Sequence, residues 1–214
     1  MTRRELEILF RDGERTVRRS ADGNLPFRYR FGVRTLLKAL FPGQKRYALL
    51  CYRSVQETMP RWRSIEIEPL YHRVPDRLLH ICRSAILDLE EYEHLRQEVG
   101  DLWTYVADAS LMSAEALADP SKPSFAPYSA AAAAGASLGS PDESIYTPED
   151  TDLSIEPDLL DTHAYVAMDF AGCLWNETSD PQARRAYWLR FIKQDVPEIA
   201  EMAWQELVGE LKRS

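Results

Sequence analysis

The last third of the chain narrows its possible folds most. Leu160, His163, Ala164, Ala167, Phe170, Ala171 and Leu174 recur at steps of three and four, which gives one apolar helix face running on to Trp175. Asp180-Pro181 is a capping residue followed by proline at a first helical position, and it caps the last long helix. Trp188, Phe191 and Ile192 line the core face of the helix that follows. Pro197 interrupts it, and Ile199, Met202, Ala203 and Leu207 resume after a bend.

The same period recurs upstream. Leu6, Leu9, Phe10 and Val17 predict a helix over 3–20, weakened by Gly13, with a turn at Asp22–Pro26. Residues 27–41 alternate at first and then become helical until Pro42-Gly43. Tyr47, Cys51, Val55 and Met59 form a buried stripe over 44–59, ended by Pro60, and 61–74 read as irregular. Pro75 opens a helix with Leu78, Ile81, Cys82, Ala85, Ile86 and Leu89 inward. The inward pattern continues through Leu95, Val99, Leu102, Trp103 and Val106, with a break at Gly100 and a restart at Asp101. Residues 119–127 read as a loop. Tyr128–Leu138 (YSAAAAAGASL) reads as a central, closely packed helix, because alanines let neighbours approach. Ser140-Pro141-Asp142-Glu143 and Thr147-Pro148-Glu149-Asp150 carry helix-start signals that nucleate at most short turns. The predicted architecture is an all-α, single-domain multi-helix bundle spanning 1–214, with an acidic loop before the last two long helices. Within it, the basic portion 1–45 packs on the rest. Residues 119–158 form a loop-rich acidic segment containing the Ala-rich helix.

Charge is uneven. Residues 1–73 carry 16 basic against 8 acidic residues, whereas 119–180 carry 1 against 12, within a net charge of −8. Such asymmetry points either to a charged partner or to two halves that attract each other. Arg11, Arg15, Arg18 and Arg19 lie along one helical side, followed by Arg28, Tyr29 and Arg30, a pattern that can hold phosphates and stack bases. The acidity of the whole chain weighs against nucleic-acid binding.

Catalytic and metal signatures are sparse. His72, His80, His94 and His163 form no H-E-x-x-H, and no Cys/His set has zinc spacing. His163 sits among Ala and Leu positions and reads as a hydrogen-bonded core histidine. Cys51, Cys82 and Cys173 sit on apolar stripes and read as free core thiols in a reducing compartment. Glu90, Glu91, Glu93, Glu98 and Asp101 imitate a helical carboxylate site. Only Glu91 precedes a histidine, His94, by three residues, and without a second copy the set reads as a solvated face. No nucleotide-binding loop and no G-x-S-x-G elbow is present. These readings predict a chain with no cofactor and no metal, not an enzyme. No apolar run suits a membrane, and the first twenty residues lack a signal-like core, so the expected location is the cytoplasm.

Residues 157–204 resemble the C-terminal signature of the immunity protein five family, the helical immunity proteins of bacterial polymorphic toxin systems. The resemblance is carried by Asp161 before HAYVAMDFAG, by Trp175, by Arg184-Arg185-x-Tyr187-Trp188 and by Val196-Pro197. CYRSVQETMP at 51–60 and the helix from Pro75 are similar too. About half the chain is covered, and the first 45 residues have no evident counterpart. The resemblance implies an antitoxin that binds a cognate toxin domain stoichiometrically, without catalysis. A nuclease toxin would present a basic cleft. Asp142, Glu143, Glu149, Asp150, Asp152, Glu156 and Asp158 would then stand in for phosphates. The alternatives are a nucleic-acid-binding adaptor using the arginine-rich front and a helical metal-dependent enzyme.

Overall fold

The computed structural model describes residues 3–117, 124–139, 161–172 and 180–213, and these contain helices and turns with no strand. In chain order the helices are α1 (Arg3–Arg19), α2 (Phe27–Ala39), α3 (Gly43–Gln56), α4 (Met59–Arg63), α5 (Pro69–His72), α6 (Val74–Leu87), α7 (Tyr92–Ala116) and α8 (Ala126–Ser137). After them come α9 (Thr162–Ala171), α10 (Pro181–Arg190), a π-helical turn (Phe191–Asp195), α11 (Val196–Glu201) and α12 (Trp204–Arg213). The fold is all-α, as the helical period predicts.

The alanine-rich helix is the hub. α8 packs against α6, α3, α9 and α7. Ala126, Ala130, Ala133 and Ala134 are fully buried. A helix with neighbours on several sides needs no polar face, and methyl side chains let the surrounding backbones come close. Two buried serines cost little here. Ser129 and Ser137 donate back to the carbonyls of Ala126 (3.1 Å) and Ala134 (2.7 Å).

The stripes on α3 and α6 fall inward as predicted: Tyr47, Cys51, Val55, Leu78, Ile81, Cys82 and Ala85 are buried. Trp188 and Phe191 are fully buried and meet edge to face at 5.5 Å. α1 joins this part of the core through α10, and α2 packs on α3. The Arg185 guanidinium donates to the Val17 and Ser20 carbonyls at 3.3 and 2.8 Å, closing the C-terminal end of α1. At the α1–α2 turn, Gly23 has φ +75°, and a Cβ there would lie 2.3 Å from the Pro181 carbonyl oxygen. Only glycine permits that approach.

Several boundaries differ from the sequence reading. The helix within 27–41 starts at Phe27 itself and ends at Ala39, with Leu40 extended. Pro60 does not end a helix but sits in the first turn of the short helix α4, and the stretch read as irregular holds a second short helix, α5, that starts at Pro69; a missing N–H costs nothing at either position. The break expected at Gly100 falls at Asp88 instead. Asp88 adopts the left-handed conformation (φ 53°), and the Leu89 N–H returns to the Ser84 carbonyl (3.0 Å), turning the chain outward. Leu89 is therefore exposed rather than inward. α7 runs unbroken through Gly100, which faces solvent with nothing within 4 Å of its missing Cβ. Trp103, assigned to the inner face, lies on the outer rim of α7, and Phe170 is exposed at the end of α9. Pro197 does not interrupt its helix. It enters the first turn of α11 directly after the π turn, whose wider winding carries the Val196 N–H to the Phe191 carbonyl. The bend comes later, at Met202, whose ψ of 146° is extended.

Gly100→Ala should stabilise the protein by about 0.5–1 kcal/mol, because alanine loses less backbone entropy in an open mid-helix position. Trp188→Ala should cost about 3–5 kcal/mol. Urea unfolding of the two variants checks both.

Candidate functional site

All seven carboxylates assigned to partner binding, Asp142, Glu143, Glu149, Asp150, Asp152, Glu156 and Asp158, lie outside the described residues, as do Cys173 and Trp175. The two residues that bracket the acidic segment are described. On one side α8 ends at Leu138, whose carbonyl accepts from Arg96 at 3.1 Å. On the other, Asp161 caps α9 by accepting the Ala164 N–H at 2.8 Å. The Asp161 carboxylate also meets the Arg30 guanidinium at 2.6 Å. Arg30 was read as part of an exposed basic surface, yet it is only 2% exposed. The basic front thus sends one arginine inward to the residue at the root of the acidic segment. Burial would raise the Asp161 pKa, but Arg30, His163 and the Ala164 N–H together hold it below the ordinary carboxylate range.

His163 is 1% exposed, between the Tyr187 hydroxyl (3.4 Å) and the Cys51 sulfur (3.7 Å). A cysteine beside a histidine invites comparison with a nucleophile pair. Here both groups are pushed towards neutrality. Burial lifts the Cys51 pKa to about 12 and lowers that of His163 to about 4, despite Asp161 nearby. Neither a thiolate nor an imidazolium is available at neutral pH, and the pair acts as packing. Burial raises the Cys82 thiol further still, and its sulfur faces the Ala133 carbonyl.

The remaining sequence candidates are dispersed. Arg11, Arg15, Arg18 and Arg19 are exposed on α1, where Arg18 pairs with Glu14 at 2.8 Å. Glu14 also receives Lys193 from the π turn at 2.8 Å, and these two partners lower its pKa. Glu98 pairs with Arg77, Glu93 lies near Arg96, and Glu90 accepts from Ser84. Among the described residues no three His, Cys, Asp or Glu side chains converge as metal ligands would.

The sequence reading missed two charged constellations. Asp169 is buried and accepts the Ser124 hydroxyl and the Phe125 N–H, both at 2.8 Å, at the start of α8. Arg61 lies 3.3 Å from it. Burial dominates and raises the Asp169 pKa, against the pull of Arg61. Arg190 bridges Glu57 and Asp195 across α3, α10 and the π turn. A cleft of about 210 Å³ between Glu57, Arg61 and Phe170 lies beside both sets. Its charged groups are turned onto one another rather than towards a common point. No spacing rule could have found these sets, because each joins residues more than a hundred positions apart.

A family model described as Immunity protein Imm5 matches residues 11–198. The chain belongs to this family. The match begins inside α1, so most of the basic front, which showed no counterpart in the sequence, is part of the Imm5 fold. The described residues that carry the resemblance are structural in this chain. Asp161 caps α9, Arg185 closes α1, and Arg184, Tyr187 and Trp188 are buried. No curated protein matches the chain.

His163 gives a pH signature. Its folded pKa of about 4 lies below its ordinary value of 6.5, so the unfolded chain takes up the proton first. Its contribution is complete above pH 6.5 and falls as the pH drops towards 4, by about 3 kcal/mol across the window. Urea unfolding from pH 7.5 to 4 should show this loss in the native chain, and His163→Gln should flatten it.

Proposed function

We propose that this Imm5 chain is an antitoxin that binds and neutralises a cognate bacterial toxin domain through an equimolar protein complex. The family match over residues 11–198 carries this reading. The pairing of the chemical groups supports it. The buried histidine and thiol are held neutral, and the charged sets around Asp169 and Arg190 are satisfied internally. No helix among the described residues is long and apolar enough to cross a membrane, and we place the protein in the cytoplasm.

The finer reading is that the acidic segment meets a basic toxin cleft, as a nuclease would offer. Twelve acidic residues against one basic between 119 and 180 create a field that speeds encounter with a positive surface. Asp142, Glu143, Glu149, Asp150, Asp152, Glu156 and Asp158 supply most of it. The ion pair at Asp161 holds the segment's C-terminal root against α2.

Co-expression with the product of the neighbouring reading frame tests the main reading. A stable equimolar complex, and rescue of a host that the neighbour alone kills, is the expected result. Reversing the seven carboxylates to lysine should slow association about 10- to 100-fold and abolish rescue. An unchanged rate would remove the segment from the interface and leave the antitoxin reading intact.

A further inference from the structure

α7 presents an outer face that the fold does not use. Trp103, Ala107 and Leu111 follow one another at i, i+4, i+8, the spacing by which helices pack, yet all three face solvent. Trp103 is 53% and Leu111 61% exposed. Tyr105 projects about 200° round the helix from Trp103 and meets Tyr71 of α5 edge to face at 6.1 Å, beside exposed Leu70. Leu117 is exposed just past the helix end. Five of the nine large hydrophobic side chains exposed among the described residues thus gather on α7, its end and α5, too many for scattered surface residues.

The charges around the stripe select its occupant. Asp101, Asp108 and Glu115 are exposed on the same outer face and have no ion-pair partner among the described residues. No lysine or arginine occurs from Gln97 to Ala116. A second copy related by a two-fold axis through this face would set these carboxylates against their own kind. The acidic segment 141–158 would be repelled in the same way. A basic protein surface carrying an apolar patch has the opposite character in both respects.

We infer that the outer face of α7 docks a basic protein partner, with Trp103 and Leu111 as apolar anchors and Asp101, Asp108 and Glu115 as the steering rim. The inference rests on the antitoxin reading, in which that partner is the toxin. It adds the outer face of α7 to the contact surface of that reading. Exposed tryptophan ringed by polar groups is the composition of an interface centre.

The probe is the toxin domain from the neighbouring reading frame, with binding rates to the full-length chain measured by surface plasmon resonance. Asp101→Asn/Asp108→Asn/Glu115→Gln should slow association about tenfold. Trp103→Ala/Leu111→Ala should speed dissociation about thirtyfold, while both variants melt as the native chain does. Hydrogen exchange of the native chain provides a measurement free of mutation: residues 101–115 should gain protection in the complex. Native rates in both variants, or no added protection, would overturn the α7 assignment while leaving the antitoxin reading in place. Failure of the native chain to form any complex would overturn both.

Discussion

Everything in this bundle is arranged around the close approach that alanine permits at α8. Large side chains there would hold α3, α6, α7 and α9 apart, and the aromatic residues beyond them would no longer meet. The one aromatic on α8, Tyr128, is only partly buried and stacks on Tyr165 of α9 at 5.2 Å. The N-terminal end of this hub is also its most polar point. Asp169, Ser113 and Ser110 receive or supply the hydrogen bonds of Ser124 and Phe125, so α8 is tied to α7 and α9 before its first turn is complete. A buried carboxylate near a helix N-terminus is favoured by the unpaired N–H groups there, which offsets part of its desolvation.

Much of the fold could be read from the sequence because helical spacing is a local property. The stripe of Tyr47, Cys51 and Val55, the cap at Asp180-Pro181 and the packed alanine helix all follow from residues within one turn or two. The errors share a cause. Gly100 resembled a breaker because propensity treats every glycine alike, whereas the chain turned at Asp88 through a backbone geometry that aspartate tolerates and spacing does not encode. Trp103 and Phe170 read as inward because apolar character predicts burial, although much of the surface of a folded protein is apolar. Pro197 was read as a break because the π turn that accommodates it leaves no mark in the local sequence.

The candidate site was less legible than the fold, and for a physical reason. Interfaces and internal latches are made by residues distant along the chain. Arg30 looked like one more member of a basic surface until its partner, 131 positions away, was seen at Asp161. The family resemblance had a similar character. Arg185 ties α10 to α1, and Arg184, Tyr187 and Trp188 are buried, so they mark membership through architecture.

Ionic strength divides the charges of this molecule into two classes. The Arg30–Asp161 pair has its guanidinium walled off from solvent, so counterions reach it poorly. The carboxylates of α7 lie in open water, where a Debye length of roughly 8 Å at physiological salt already blunts their reach. Salt therefore acts on what the protein attracts far more than on what holds it together. Encounter with a partner can weaken over a range of conditions in which the root of the acidic segment stays fastened.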